Sequence, residues 1–150
     1  MTFDPDAFMN EAVEGAMDTK LDPADPGEYH AVIEDVLPRE YTDKQGEKRM
    51  ILDLIWSIQD QELLLKLGRT KFTVKQSLFL DMTPQGQLDR SKGKNVQLGK
   101  VREATRQNDP NRPWVPGHLK GAGPCLINVT QRPDKNSDAI YNDVKSVTAA

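Results

Sequence analysis

The chain has few of the side chains on which enzymes and metal sites depend. Its 150 residues contain one cysteine, Cys125, and two widely separated histidines, His30 and His118. A single thiol excludes an internal disulfide bond and a zinc site built from paired cysteines. No serine or cysteine stands at a strand-to-helix elbow, where a nucleophile would be expected. We therefore expect neither an enzyme nor a bound cofactor or metal, and we expect Cys125, which lies in an apolar run, to be buried.

Long apolar stretches are also missing. No run approaches the roughly 20 residues of a membrane helix. Residues 1–18 are acidic, whereas a signal peptide would be basic and then apolar. With 37% hydrophobic and 29% charged residues, the composition is that of an ordinary globular domain. The sequence therefore predicts a cytoplasmic protein without a membrane partner.

Charge is distributed unevenly along the chain. The net charge is −3, but residues 1–28 hold eight acidic residues against Lys20 alone, a net of −7. The other 122 residues hold 19 basic and 15 acidic residues, a net of +4. A mildly basic body fits a protein that handles polyanions, although this balance does not require one.

Residues 1–27 predict an acidic leader followed by a linker. Asp4 and Pro5 form a helix-start signal, an N-cap followed by proline in the first turn. Prolines and a glycine within 21–27 would end any helix. Between these signals apolar residues recur at helical spacing and predict an amphipathic helix: Phe8, Met9, Ala12, Val13, Ala16 and Met17. This helix could dock on a partner or a second subunit, or compete with nucleic acid for the basic body.

Residues 28–150 predict a mainly β domain. Alternation of apolar and polar residues indicates five strands, at 28–37, 48–60, 71–81, 123–132 and 139–148, and one helix at 95–108. Trp56 shares an apolar face of the second strand, so we expect it in the core. A polar interruption at 75–77 suits a bulge in the third strand. A helix between the third and fourth of five strands is the order of an OB-fold barrel, a class of binding domain.

Short strings in this domain also resemble a known family. The chain is similar over about residues 27–147 to bacteriophage-encoded OB-fold proteins that bind single-stranded DNA and assist replication or recombination. The strings that carry the resemblance are Gly27-Glu28-Tyr29-His30-Ala31-Val32-Ile33, residues 92–104 (KGKNVQLGKVREA) and Tyr141-Asn142-Asp143-Val144-Lys145. The resemblance implies single-stranded DNA binding on the barrel face, and host-cell cytoplasm as the location. Many bacterial single-strand binders end in an acidic docking tip, whereas this chain carries its acidity at the front.

Single-strand binding requires cations along the phosphates and exposed aromatic faces for the bases. Both residue types occur in the first hairpin, in the third strand with its approach, and in the last hairpin, which an OB fold would bring together. The candidate nucleic-acid-binding residues are Arg39, Tyr41, Lys48, Arg49, Arg69, Lys71, Phe72, Lys75, Arg132, Lys135 and Tyr141. For each there is a plainer structural interpretation, with Phe72 in the core, Tyr41 over a turn, and the cations as solvated surface.

Two other functions stay open at this point. The first is a protein assembly module that uses the same barrel and the acidic helix to bind replication or recombination proteins or a second copy. The second, a minor alternative, is a metal-dependent nuclease, because Asp134, Asp143 and Lys145 match a degenerate nuclease pattern. Three or more exposed aromatic rings on one basic face would favour DNA, and a smooth apolar face would favour assembly.

Overall fold

The computed structural model of the chain describes residues 2–150, and within them one antiparallel sheet dominates. The order of elements is α1 (Pro5–Met9), β1 (Gly27–Thr42), β2 (Lys48–Ile58), α2 (Gln61–Leu67), β3 (Thr73–Leu80), α3 (Val96–Ala104), a 3-10 helix (Pro116–Leu119), β4 (Cys125–Pro133) and β5 (Ile140–Ala149). The predicted mainly β fold with five strands and a helix between the third and fourth is confirmed.

The five strands are ordered β3-β2-β1-β4-β5, so β3 and β5 are the two edges. Strand β1 is central. It pairs with β4 from Gly27 to Ala31 and with β2 from Ala31 to Thr42. No pairing joins β3 to β5 within residues 2–150, and the sheet is therefore not closed. The two edges nevertheless face each other, because residues of both line the same grooves.

The irregularities that bend the sheet lie in β1 and between β4 and β5. The register shifts between Ile33 and Asp35 where β1 meets β2, and again between Asn128 and Val129 where β4 meets β5. The bulge predicted at 75–77 is wrong, because β3 pairs with β2 without any shift. Those residues are polar for another reason. Gln76 points inward and its Oε1 accepts a hydrogen bond of 2.9 Å from Trp56 Nε1.

The core lies on the inner face of the sheet, beneath α3 and the loop that follows it. Trp56 is 0% exposed, and Cys125 is also fully buried, as the sequence predicted for both. Helix α3 turns its buried residues Leu98, Val101 and Ala104 toward this core. The helix thus covers the inner side and leaves the outer face of β1, β2 and β3 open.

A second helix in the sheet region, α2, was not predicted. Its N-cap is Asp60, whose side chain accepts a hydrogen bond from the Leu63 N–H at 3.1 Å. It ends at Gly68, which adopts the left-handed conformation (φ 64°) that glycine allows. Leu63 and Leu64 are buried, so this helix of about two turns is stabilised by packing rather than by length.

The leader forms less helix than its sequence predicts. Helix α1 spans only Pro5–Met9, capped by Asp4 and ended at Asn10. The prediction of an amphipathic helix through Met17 is therefore wrong. Its apolar side chains, including Phe8 and Val13, are exposed. Since short isolated helices are marginal in water, a stripe with nothing to cover it does not extend the helix.

The leader joins the sheet through a firm anchor at Ala24, which is fully buried. The Ala24 N–H donates to Asn142 Oδ1 at 2.9 Å. The Ala24 carbonyl accepts from Asn142 Nδ2 at 3.0 Å and from Gln131 Nε2 at 2.9 Å. The linker is thus clamped to β4 and β5 three residues before β1 begins. No helix among residues 2–150 is long and apolar enough to span a membrane.

Candidate nucleic-acid interface

The open side of β1, β2 and β3 carries a compact set of polar and aromatic side chains. Directly paired residues of an antiparallel sheet point to the same face, so the register defines rungs across the three strands. The rungs on the side away from Trp56, here called the outer face, are Arg39–Ile51–Phe79, Leu37–Asp53–Ser77 and Asp35–Ile55–Lys75, with Tyr41–Arg49 next to the first. Residues from the first hairpin and the third strand therefore do come together.

An aromatic pair stands at one end of the outer face. The rings of Tyr41 and Phe79 meet edge to face, with centroids 5.9 Å apart and planes inclined by 82°. Phe79 is 65% exposed although it is paired with β2, one residue before the end of β3. An edge-to-face contact fixes the orientation of both rings, and most of the Phe79 surface stays exposed. The pair is therefore built like a platform on which a flat apolar group can stack.

Asp53 lies at the centre of the outer face and is buried there. Its Oδ2 accepts a hydrogen bond of 2.7 Å from Arg39 Nε, and its Oδ1 accepts one of 2.6 Å from Ser77 Oγ. Burial by itself would raise the pKa of the Asp53 carboxyl. The two hydrogen bonds and the charges of Arg39 and Lys75 outweigh burial and place that pKa below its ordinary value. Asp53 is therefore an ionised carboxylate that organises its neighbours.

The hairpin between β1 and β2 extends the outer face. Backbone hydrogen bonds, led by the one from the Glu47 N–H, and the Arg49 guanidinium lower the pKa of Asp43. Arg49 Nε lies 3.1 Å from Asp43 Oδ2, and its Nη2 lies 3.3 Å from Glu47. Lys48, beside it, is 3.6 Å from Glu40. Arg49 and Lys48 are thus exposed, but each is paired with an acidic residue, which limits the net positive charge that they offer.

The second region is a groove between the edge strands, here called the β3–β5 groove. It has a volume of about 790 Å³. Its cationic and aromatic lining consists of Lys20, Arg69, Phe72, Lys75, Arg132 and Tyr141. Lys75 belongs both to this groove and to the outer face, so the two regions are continuous.

Arg69 enters the groove because α2 ends beside it. The left-handed Gly68 turns the chain, and the Arg69 N–H bonds back to the Leu64 carbonyl at 2.9 Å. The Arg69 guanidinium then lies over the Phe72 ring, 5.0 Å from its centroid. Phe72 itself is 6% exposed and packs in the core. It is therefore not an open stacking surface, which removes it from the interface that the sequence suggested.

Across the groove, β4 and β5 present Arg132 and Tyr141 as a pair. The guanidinium lies 5.3 Å from the centroid of the Tyr141 ring, and its Nε donates to Asp143 Oδ2 at 2.9 Å. Tyr141 is 47% exposed. This pair provides a second aromatic surface with a cation over it.

The predicted cations differ in how far carboxylates already neutralise them. Within residues 2–150, Arg39, Lys48, Arg49, Lys71 and Arg132 form ion pairs. Arg69, Lys75 and Lys135 form none there. Lys71 is paired with Glu34 and, like Lys135 at the tip of the last hairpin, lies outside the groove. Exposed ion pairs contribute little to stability, so a paired cation can leave its carboxylate for a phosphate. The gain in binding free energy is then smaller than for an unpaired cation.

Phe79 is the residue that sequence reasoning missed. Alternation places Phe72, Val74 and Leu78 on the inner face of β3, and this leaves Phe79 out of phase, on the same side as Lys75. An aromatic on the polar side of a half-buried strand was the available signal.

The carboxylates of the nuclease pattern are occupied by local contacts. Asp143 is paired with Arg132, and Asp134 accepts from Ser137 Oγ at 2.8 Å within its own turn. Among residues 2–150 no group of three or more His, Cys, Asp or Glu side chains is arranged to hold a metal ion. These carboxylates thus give the nuclease alternative no geometric support.

Comparison with protein-family models gives no match for this chain. Comparison with curated proteins gives no significant match either.

Proposed function

We propose that this chain binds single-stranded DNA without sequence specificity, as an accessory protein of bacteriophage replication or recombination, and is not an enzyme. The observation that carries the proposal is the exposed Phe79 ring, held edge to face by Tyr41 on the same sheet face as Arg39 and Lys75. Stacked bases and tracked phosphates need this combination of ring and cation. The resemblance of residues 27–147 to single-strand-binding phage proteins agrees with it.

The chemistry favours a single strand over a duplex. A ring face is available to a base only where the base is unstacked, and every base has a flat face to offer. Stacking is therefore tolerant of sequence, and the cations of the outer face and the groove would follow the phosphates. Tyr141 beneath Arg132 offers a second stacking position at the far side of Lys75.

We further propose that the domain is OB-fold-like. The strand order β3-β2-β1-β4-β5 is that of a five-stranded Greek-key barrel opened between β3 and β5. The face of the second and third strands, where such barrels bind oligonucleotides, is here the face that carries Phe79, Asp53 and Lys75.

Fluorescence anisotropy with a labelled poly-dT oligonucleotide at several salt concentrations tests the proposal. If Arg39, Arg69 and Lys75 each meet one phosphate, log K should fall with log salt at a slope of about −2, since single strands give about 0.7 per contact. The same oligonucleotide annealed to poly-dA is the control and should bind more weakly. No anisotropy change with poly-dT at low salt would refute the proposal.

An assembly module without nucleic acid is the second candidate, and the leader is what favours it. Phe3, Phe8, Met9, Val13, Met17 and Leu21 are all exposed. An acidic segment with this many uncovered apolar side chains is suited to a partner groove, such as one on a replication or recombination protein or a second copy. Sedimentation velocity over a range of concentrations tests self-association directly. Assembly without any affinity for poly-dT would replace the first proposal by this one.

A further inference from the structure

Asp53 is unusual among the charged residues described because it is buried, and because its burial is on the face of the sheet that points away from the core. Its residue is 5% exposed and its side chain 8% exposed, on the face of the sheet opposite to the core. No other charged residue among residues 2–150 is buried. Removing a carboxylate from water is costly unless it is paired and hydrogen-bonded. A hydrophobic residue at this position, like Ile51 and Ile55 on either side, would avoid that cost.

The contacts of Asp53 constrain Arg39 in one particular way. The carboxylate engages only Nε of Arg39, at 2.7 Å. The two terminal nitrogens of Arg39 donate no hydrogen bond within the part of the chain that the structure describes, and the Arg39 side chain is 46% exposed. Ser77 Oγ holds the other carboxylate oxygen at 2.6 Å, which fixes the carboxylate itself. Arg39 is thus oriented through one nitrogen and keeps its planar fork free, the geometry that suits a phosphate.

The free fork lies next to the aromatic platform. Arg39 pairs with Ile51, and Ile51 pairs with Phe79, so the three form one rung of the outer face. Tyr41, edge-on to Phe79, is two residues along β1 from Arg39. Directly paired strands lie about 4.8 Å apart, so the rung is about 10 Å wide. A nucleotide whose base stacks on Phe79 would have its phosphate within reach of Arg39.

We infer that Asp53 is a positioning residue, which through Arg39 Nε presents the terminal nitrogens of Arg39 to the phosphodiester of a strand whose base stacks on Phe79. This inference rests on the proposed function. It assigns the phosphate contact of the outer face to a guanidinium that a buried acid holds in place. It also explains why an acid is kept at the centre of an anion-binding surface, where its charge alone is unfavourable.

Asp53→Asn in the full chain separates positioning from charge, because the two predict opposite signs. Removal of a negative charge from an anion-binding face should tighten poly-dT binding if Asp53 acts through charge alone. Loss of the carboxylate that holds Arg39 should weaken binding, by about tenfold, the scale of one charge-assisted hydrogen bond. The salt slope should also become shallower by about 0.7, one phosphate contact on a single strand. A purely structural role would leave that slope unchanged.

Asp109→Asn is the matched control, since Asp109 is an acid in the loop after α3, ion-paired with Arg112 at 3.5 Å. It removes the same charge away from the platform and should leave binding unchanged or slightly tighter. Arg39→Lys keeps the positive charge but loses the planar fork, and should weaken binding as much as Asp53→Asn. The double variant should be no weaker than either single variant, because both remove the same contact.

Ser77→Ala tests the same contact if Asp53→Asn does not fold. It keeps every charge and removes only the hydroxyl that fixes Oδ1, and we expect binding to weaken about threefold, less than in Asp53→Asn because the carboxylate that holds Arg39 remains. Thermal unfolding by circular dichroism verifies that each variant is folded. If wild-type protein does not bind poly-dT, the proposed function is overturned, and the inference with it. A different result would overturn the inference alone. In that case wild-type protein binds poly-dT tightly, and the folded variants bind as tightly as the Asp109→Asn control; these variants are Asp53→Asn, Arg39→Lys and Ser77→Ala.

Discussion

Phe79→Ala is the sharpest test of the aromatic platform, because it should harm binding more than folding. Phe79 is 65% exposed, so only about a third of its surface is buried. A third of roughly 200 Å² at about 25 cal/mol per Å², with the area in contact with Tyr41 included, gives a loss of about 1–2 kcal/mol in the free energy of unfolding. For a chain of this length the melting temperature should fall by about 3–8 °C.

The expected loss in binding free energy is large for a side chain that contributes so little to the stability of the fold. A base that stacks on an aromatic ring contributes about 1–3 kcal/mol, so affinity for poly-dT should fall by roughly 5- to 150-fold. Anisotropy titrations at low salt measure the affinity, and circular dichroism measures the melting temperature on the same preparations. The salt slope should not change, since no phosphate contact is removed.

Two control variants make the result specific to stacking. Phe79→Leu keeps an apolar side chain without a flat ring, and it should lose nearly as much affinity as Phe79→Ala while it loses less stability. Leu65→Ala removes an apolar side chain that is even more exposed, but on α2, and should leave affinity unchanged. Unchanged poly-dT affinity in Phe79→Ala, with a lowered melting temperature, would show that the ring serves only to cover the sheet.

Three further predictions concern other parts of the chain. Tyr141→Ala should weaken poly-dT binding by about 1–3 kcal/mol if its ring stacks on a base; a lowered melting temperature with unchanged affinity would assign it to packing against Arg132. Neutralising the acids of residues 2–22 should tighten binding at low salt and less at high salt if the leader competes for the groove; unchanged affinity with loss of self-association would assign the leader to docking. The pKa of Asp53 lies below its ordinary 3.8 in the folded state, so its stabilisation is present above that value and lost as the pH falls through the folded pKa. The stability difference between wild type and Asp53→Asn in urea should therefore shrink from pH 6 to pH 2, and a constant difference would contradict the ion pair.

The strands were predictable because each one has a simple pattern. Apolar residues alternate along β2 from Met50 to Ile58, and this places Trp56 in the core, where the structure has it. Pairing order and closure are not local properties. The bends in β1 and between β4 and β5 depend on which strands meet, and no sequence signal at Ile33 or Asn128 reveals them.

The helices and the site were harder to predict, for related reasons. The sequence of α2 carries its own start and stop at Asp60 and Gly68, but the helix is too short for periodicity to stand out. The leader has good periodicity and little helix, because packing that would stabilise it is missing. The basic residues near Phe72 pointed to that ring as the binding surface, whereas the exposed aromatic ring of this region is Phe79. Burial decides which ring can meet a ligand, and burial is set by the partner strand.

The clamp at Ala24 has a mechanical consequence for the leader. Asn142 and Gln131 hold both backbone groups of Ala24 against β4 and β5, so the swivel point of the leader is at residue 24 rather than at the start of β1. A pull applied anywhere upstream is transmitted first to the β4–β5 hairpin. That hairpin carries Arg132 and Tyr141. Tension on the N-terminal segment is therefore delivered to one wall of the β3–β5 groove before it reaches the central strand.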